Sequence, residues 1–446
     1  MTIKRLLFIS ALAVSLFSAC GDDPVSPENN DPNLPVSSAG VLPPSSSSVA
    51  KATIIGLGAN PALVDSWYPQ WKQKYIATLE DDLNAGLVTT LEAEWFINNN
   101  AMGAARVKWN GNSNGCNAST QNCTVSEGIG YGMLITLFQE DWETFHGLYL
   151  FNHGGLTRDQ GSLGSYMMPW IYDSFFTFND ASGATDADLD IATALVLAHL
   201  KLSPVLPDLA NLYLVHAQKI INSIWNEVVM GGCSQNYLVC AGNTSMWYKE
   251  PVTFNLSYFS PVAFRLFSLV DPTHDWDAVV TQNYAYMKRA QSIGVGLVPD
   301  WSDITGTPML APNNSSAKSY DTYGKESVRT AWRIAWDYYW FESPDAKEVL
   351  DKMAAFVMPK FTAFSLAGMP NKTFKTTDGT LSVGTPQSVA HLGSYCLMAG
   401  ASHPEWYQAC VTGFNAEGWN PSFSYFTHIL QMMFGQLMNG KYVSPF

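Results

Sequence analysis

The sequence predicts an all-α fold in which helix pairs pack around a common axis and the loops at one rim carry the function. Segments with apolar residues at helical spacing recur about every 30 to 40 residues. Strand-like alternation is scarce, and the folded stretch of roughly 390 residues shows no second Pro/Ser-rich seam, which indicates one large domain. Ten or more helices are expected, and examples of such segments are 75–87, 130–139, 187–200, 209–225, 261–269, 276–293, 328–340, 346–357, 386–398 and 422–438. Long polar or Gly/Pro stretches connect them.

In chain order, Lys4 and Arg5 precede an apolar run from Leu6 to Phe17 that closes with Ser18, Ala19 and Cys20. This reads as a secretory signal peptide over residues 1–19, because the run is too short to span a bilayer. Phe-Ser-Ala-Cys is similar to a lipobox, which makes Cys20 the expected lipidation site; the other reading is an ordinary signal peptide that contains a cysteine. Residues 20–55 are dominated by Asp, Pro, Asn and Ser, too polar to offset the entropy of ordering, and form a flexible lipid-anchored linker. The chain is then expected to be exported to the outer membrane or cell surface, touching membrane only through the anchor. Residues 56–446 form the expected catalytic domain, a monomer.

Of the seven cysteines, six remain once Cys20 is set aside. Export and an even count favour disulfides Cys116–Cys123 and Cys233–Cys240, with Cys396–Cys410 the third pairing. Neither close pair has the spacing or flanking histidines of a zinc site, so no metal is expected. Net charge is −14 and the mature chain has no basic run, which excludes nucleic acid as a partner. Aromatic residues make up 13% of the chain against 14% charged. That balance suits a neutral polymer such as a polysaccharide, whose sugar rings stack on aromatic faces, although any single aromatic belongs more often to the core.

Three segments carry chemistry. In Thr-Val-Ser-Glu-Gly-Ile-Gly-Tyr-Gly-Met at 124–133, Glu127 sits just ahead of a helical run, among glycines that permit close approach. Burial there would raise its pKa and keep it protonated until it donates to a leaving oxygen. The competing reading is a helix start, with Ser126 as cap and Glu127 complementing the dipole. In Ala-Thr-Asp-Ala-Asp-Leu-Asp-Ile-Ala at 184–192, Thr185 and Asp188 suggest a capping box. Asp186 and Asp190, four apart on one face, repel and require a ligand or a buried partner. Calcium is the rival interpretation, but the Gly and terminal Glu of an EF-hand loop are missing.

The third segment, 319–340, places Glu326, Arg329 and Arg333 on neighbouring turns, with Trp332, Trp336 and Trp340 at four-residue spacing. An ion-paired helix with an aromatic core stripe accounts for Trp336 and Trp340. Glu326 and Arg329, at the helix start, are placed to face a cleft.

These three segments, in this order, resemble glycoside hydrolase family 8, over about residues 56 to 446. The resemblance implies an (α/α)6 barrel of inner and outer helices and hydrolysis with inversion, without cofactor. Glu127 matches the proton donor and Asp186 the carboxylate that binds the distorted sugar, with Asp188 beside it in the substrate-binding set. The family's base is an Asp three residues before the first Arg of its motif; Glu326 stands at that offset from Arg329, and Ala331 replaces a Pro. The extra methylene shifts the carboxylate unless the backbone compensates. Asp321 is the rival base. Arg329 is expected to keep the base ionised. Tyr131, Trp332 and Trp170 are candidate sugar platforms, with core packing the commoner fate for Trp170. The expected substrate is a β-1,4-linked glucan, cellulose or mixed-linkage, cut internally. Xylan or chitosan, or a surface glycan-binding lipoprotein without hydrolysis, are the alternatives.

Overall fold

The computed structural model describes residues 54–98, 101–112, 115–163, 165–173, 177–233, 236–310, 320–382 and 388–446. The signal segment, Cys20 and the linker up to residue 53 lie outside the described residues. Ile55, assigned to the linker from sequence, is buried against Gly400, so the packed domain starts ahead of residue 56.

The chain opens with α1 (Pro61–Tyr75), β1 (Ile76–Thr78), α2 (Leu79–Asn84) and α3 (Thr90–Asn98), then β2 (Ala105–Val107) and β3 (Cys123–Val125). There follow α4 (Ser126–Phe138), α5 (Trp142–Leu163), β4 (Pro169–Asp173), β5 (Thr177–Gly183), α6 (Thr185–Leu202) and α7 (Pro207–Ile224). Among the described residues the second half carries helices joined by loops with isolated β-bridges: α8 (Pro261–Val270), α9 (Trp276–Ser292), α10 (Thr330–Phe341), α11 (Pro344–Val357), α12 (Ser388–Met398), α13 (Pro404–Ala416) and α14 (Tyr425–Met438).

Helices α4, α6, α8, α10, α12 and α14 each touch the next, and α14 returns to α4, closing an inner ring. Each inner helix also packs against one outer helix: α5, α7, α9, α11 and α13 follow their partners in sequence, and α1 backs α14. This is the (α/α)6 barrel. Residue character follows position. Every residue of α14 except Phe426 is buried, and so is every residue of α4 except Glu127, whereas α7 buries one stripe only. Long apolar runs thus form helices enclosed on all sides, and amphipathic runs form the outer shell.

The strands matter because of where they deliver the chain. β3, β4 and β5 form an antiparallel sheet in that order, with Val125 opposite Ile171 and Pro169 opposite Gly183. β3 runs straight into α4, and β5 ends just before α6. One small sheet at the barrel rim therefore sets the height at which both inner helices begin.

Some sequence expectations need correction. The segment 75–87 is not one helix but the end of α1, then β1 and α2, where Thr78 caps α2 through a reciprocal bond with Asp81. Helices α1, α3, α5 and α13 went unread; α1 carries start signals in Asn60, which accepts from Leu63 N–H, and Pro61. The 422–438 helix begins at Tyr425, because Ser424 caps it by accepting from Thr427 N–H. All three expected disulfides are formed, with Cα–Cα distances of 5.6, 5.9 and 5.2 Å. Cys396–Cys410 ties inner α12 to outer α13. Among the described residues, no helix is long and apolar enough to cross a membrane.

Candidate active site

Ser126 is the first residue of α4 rather than its cap, and Val125 before it supplies no capping side chain. Thr185 likewise opens α6 behind an uncapped Ala184. The capping readings of both segments therefore fail, and their carboxylates are held by tertiary partners instead. Gly128 and Gly130 let α4 approach its neighbours: a Cβ at 128 would lie 2.4 Å from the Tyr425 hydroxyl, and one at 130 would lie 2.9 Å from the Ala187 carbonyl oxygen. The first turns of α4 and α6 thus stand side by side.

Arg329 joins them from across the ring. It ends a 3-10 turn, Ser327–Arg329, that leads into α10. Its Nη1 donates to Glu127 Oε2 at 2.8 Å, to Asp186 Oδ2 at 2.7 Å and to the Tyr131 hydroxyl at 3.2 Å. Its Nη2 donates to Glu326 Oε2, which also accepts from Asn255 Nδ2 at 3.2 Å. Glu127 and Glu326 keep 23% and 26% of their side chains exposed, against 3% for Asp186 and 1% for Arg329. Two carboxyls are thus partly exposed to solvent while the third is buried beside them.

Three carboxyls around one guanidinium cannot all ionise cheaply. Burial, followed by the charges of Asp186 and Glu326, pushes Glu127 up to about 7 against the pull of Arg329. Burial also lifts Asp186 to about 6, with Arg329 and Arg333 pulling the other way and Asp190 and Glu326 adding to the rise. The cluster therefore retains a proton near neutrality, chiefly on Glu127. One turn below, Asp190 and Arg333 form a fully buried bidentate pair at 2.7 and 2.8 Å, and Arg333 Nε donates to Ser257 O at 2.7 Å. Asp190 thereby finds the buried partner that its spacing demanded.

Other candidates lie elsewhere. Asp188 is fully buried, accepts from Met168 N–H at 2.8 Å and has no bond to the Arg329 cluster; it fastens the lead-in to β4. Trp332 is fully buried and edge-on to Tyr131, itself buried, at 6.2 Å, so neither ring offers a free face. Trp170 is half-buried on β4 and packs against the core, the commoner fate expected for it. Asp321 pairs with Lys375 at 3.3 Å, away from Arg329. An aromatic group beside Arg329 went unread in the sequence. Trp247 stacks on Trp301 at 5.6 Å with 7° between planes, and Tyr258 meets Trp301 edge-on at 6.4 Å and lies 5.3 Å from the Arg329 guanidinium. Trp247 is half-exposed. Asn255 and Tyr258 left no signal beyond polar groups inside an apolar run.

The model of the glycosyl hydrolases family 8 matches residues 59–441. The chain belongs to this family. It is a glycoside hydrolase, and a carbohydrate is its substrate. The chain is 30% identical over 367 residues to Endoglucanase 2 of Ruminiclostridium josui, covering 80% of this chain and 70% of that protein. It is 32% identical to Endoglucanase C of Ruminiclostridium cellulolyticum, over 66% of this chain and 59% of that protein. The apo β-1,3-1,4-glucanase of Paenibacillus sp. X4 has the same fold, with a TM-score of 0.67 at 22% identity over 86% of this chain and 92% of that one. A reducing-end-xylose releasing exo-oligoxylanase superposes with a TM-score of 0.64 at 18% identity, over 87% of this chain and 96% of that one.

Proposed function

We propose that this family 8 hydrolase cuts β-1,4-linked glucan internally and with inversion, with Glu127 as general acid, Glu326 as general base and Asp186 holding the sugar at the cleavage point. The observation that carries this reading is the Arg329 cluster, in which two partly exposed carboxyls, Glu127 and Glu326, share one guanidinium with the buried Asp186 and burial pushes Glu127 up to about 7. Glu127 and Glu326 bond to different nitrogens of the one guanidinium. An inverting pair needs a separation of about 6.5 to 9.5 Å to admit a water.

In the reaction, Glu326 takes a proton from that water as its oxygen attacks the anomeric carbon from the face opposite the leaving group. The glycosidic C–O bond breaks, and Glu127 gives its proton to the departing oxygen. Glu326 then passes its proton to solvent and Glu127 regains one. Asp186, fixed by Arg329, accepts hydroxyl hydrogen bonds from the ring, and the half-exposed Trp247 face stacks on a neighbouring sugar.

Similarity to Endoglucanase 2 of Ruminiclostridium josui and Endoglucanase C of Ruminiclostridium cellulolyticum favours glucan. The exo-oligoxylanase fold neighbour makes xylan the second reading. Export with lipidation at Cys20 belongs to the same proposal and is supported by the three disulfides, which persist in oxidising compartments. The test is reducing-end release by the purified protein on barley β-glucan, carboxymethylcellulose, xylan and chitosan, with Glu127→Gln and Glu326→Gln alongside. Release from the glucans, lost in both variants, is expected. Binding without release on any of the four would favour a glycan-binding protein, and an active Glu326→Gln would return the base to Asp321.

A further inference from the structure

Glu326 lies on a loop just ahead of the 3-10 turn, so no regular element fixes its main chain. Asp300, which is 4% exposed, does so instead. Its Oδ1 accepts from Gly324 N–H at 3.0 Å, Glu326 N–H at 3.1 Å, Ser327 N–H at 2.8 Å and Ser327 Oγ at 2.7 Å. Its own N–H donates to Thr322 O at 3.0 Å. A Cβ at residue 324 would lie 2.5 Å from Asp300 Oδ2, so glycine is what lets the loop close over this carboxylate. Two residues on, Ser302 exchanges both backbone bonds with Phe254, at 2.8 and 3.1 Å. Phe254 adjoins Asn255, whose amide reaches Glu326 Oε2. The segment from Asp300 to Ser302 thus anchors both the backbone of Glu326 and the group that holds its carboxyl.

We propose that Asp300 is the positioning residue of the general base: by gathering the loop's donors on one oxygen, it sets Glu326 at the height where a side chain one methylene longer than Asp can reach the attacking water. This rests on the reading of Glu326 as base. Glutamate has one more torsion than aspartate, so its carboxylate is placed well only if its backbone is held. Burial, followed by the charge of Glu326, raises the Asp300 carboxyl to about 7, so its strength as an anchor is the number of donors gathered on one oxygen rather than a full charge.

The test compares wild type, Asp300→Ala, Asp300→Asn and Glu326→Ala on barley β-glucan, with and without sodium azide. Azide attacks the anomeric carbon directly, forming a C–N bond as the C–O bond breaks and Glu127 protonates the leaving oxygen, so it needs no base. Asp300→Ala is expected to lower kcat about 100-fold with KM within about twofold, and azide to recover about tenfold in both Asp300→Ala and Glu326→Ala. Asp300→Asn, which keeps an acceptor oxygen, should lose less, and it decides the question on the same criteria if the alanine variant does not fold. A wild-type kcat in the Asp300 variants beside a dead Glu326→Ala overturns the inference, as does a loss that azide repairs in Glu326→Ala alone. An unimpaired Glu326→Ala, or a wild type inactive on the glucan, overturns instead the assignment on which the inference stands.

Discussion

At the scale of single residues the site is organised by Arg329, which binds three carboxyls and so makes their protonation interdependent. Glu127 is pushed to about 7 in the folded chain from an ordinary value of 4.5, by burial first and by its carboxyl neighbours next. A raised folded value means that the group's contribution to stability is full below pH 4.5 and is lost as pH rises through about 7. Glu127→Gln removes this dependence, so the thermal stability of the variant should gain on wild type between those pH values. With a quarter of the side chain in solvent, the gain is about 1–2 kcal/mol. Differential scanning calorimetry of the two proteins across that range checks it, and activity should decline over the same alkaline limb because the acid has lost its proton. Glu127, Asp186 and Arg329 are legible in the sequence because each is a charge at the start of a run too apolar to be solvated. Asn255, Tyr258 and Asp300 are not, since a neutral amide or a lone Asp in a loop reads the same whether it faces solvent or a cluster.

At the scale of elements, helix existence is legible where apolar periodicity is long, as in α6 and α9, and illegible where it is interrupted. α1 contains Pro69, and its polar outer face dilutes the apolar signal. Spacing also cannot distinguish a ring seam from the lumen. Trp332 lies three residues from Arg329 yet packs edge-on to Tyr131 between α10 and α4, which is why its role as a sugar platform fails. The Asp190–Arg333 pair does at element scale what Arg329 does at the site, joining α6 to α10 across the ring. Because both side chains are fully buried, Asp190→Ala leaves an unpaired guanidinium and should cost about 3–5 kcal/mol. A double-mutant cycle with Arg333→Met, read by denaturant unfolding, checks this: the double variant should be more stable than Asp190→Ala alone.

At the scale of the molecule, six largely buried inner helices close a ring, and the rim sheet sets where α4 and α6 enter it. The all-α class follows from periodicity alone. Closure of the ring does not, because it depends on which helices touch, and the motif resemblance supplied that expectation. Exported placement belongs to the proposal, which rests on the N-terminal sequence and on the three disulfides. Cys20→Ala should release the protein from membranes in a fractionation assay without changing its activity on soluble glucan; retention of the variant at the membrane would count against lipidation at this residue.

The most direct test of the account is proton NMR of the first product formed from a β-linked cello-oligosaccharide, recorded before mutarotation. If Glu127 and Glu326 act as separated acid and base with a water between them, the new reducing end appears first as the α-anomer. A β-anomer appearing first would mean a covalent intermediate, and the Arg329 cluster would not be the inverting pair described above.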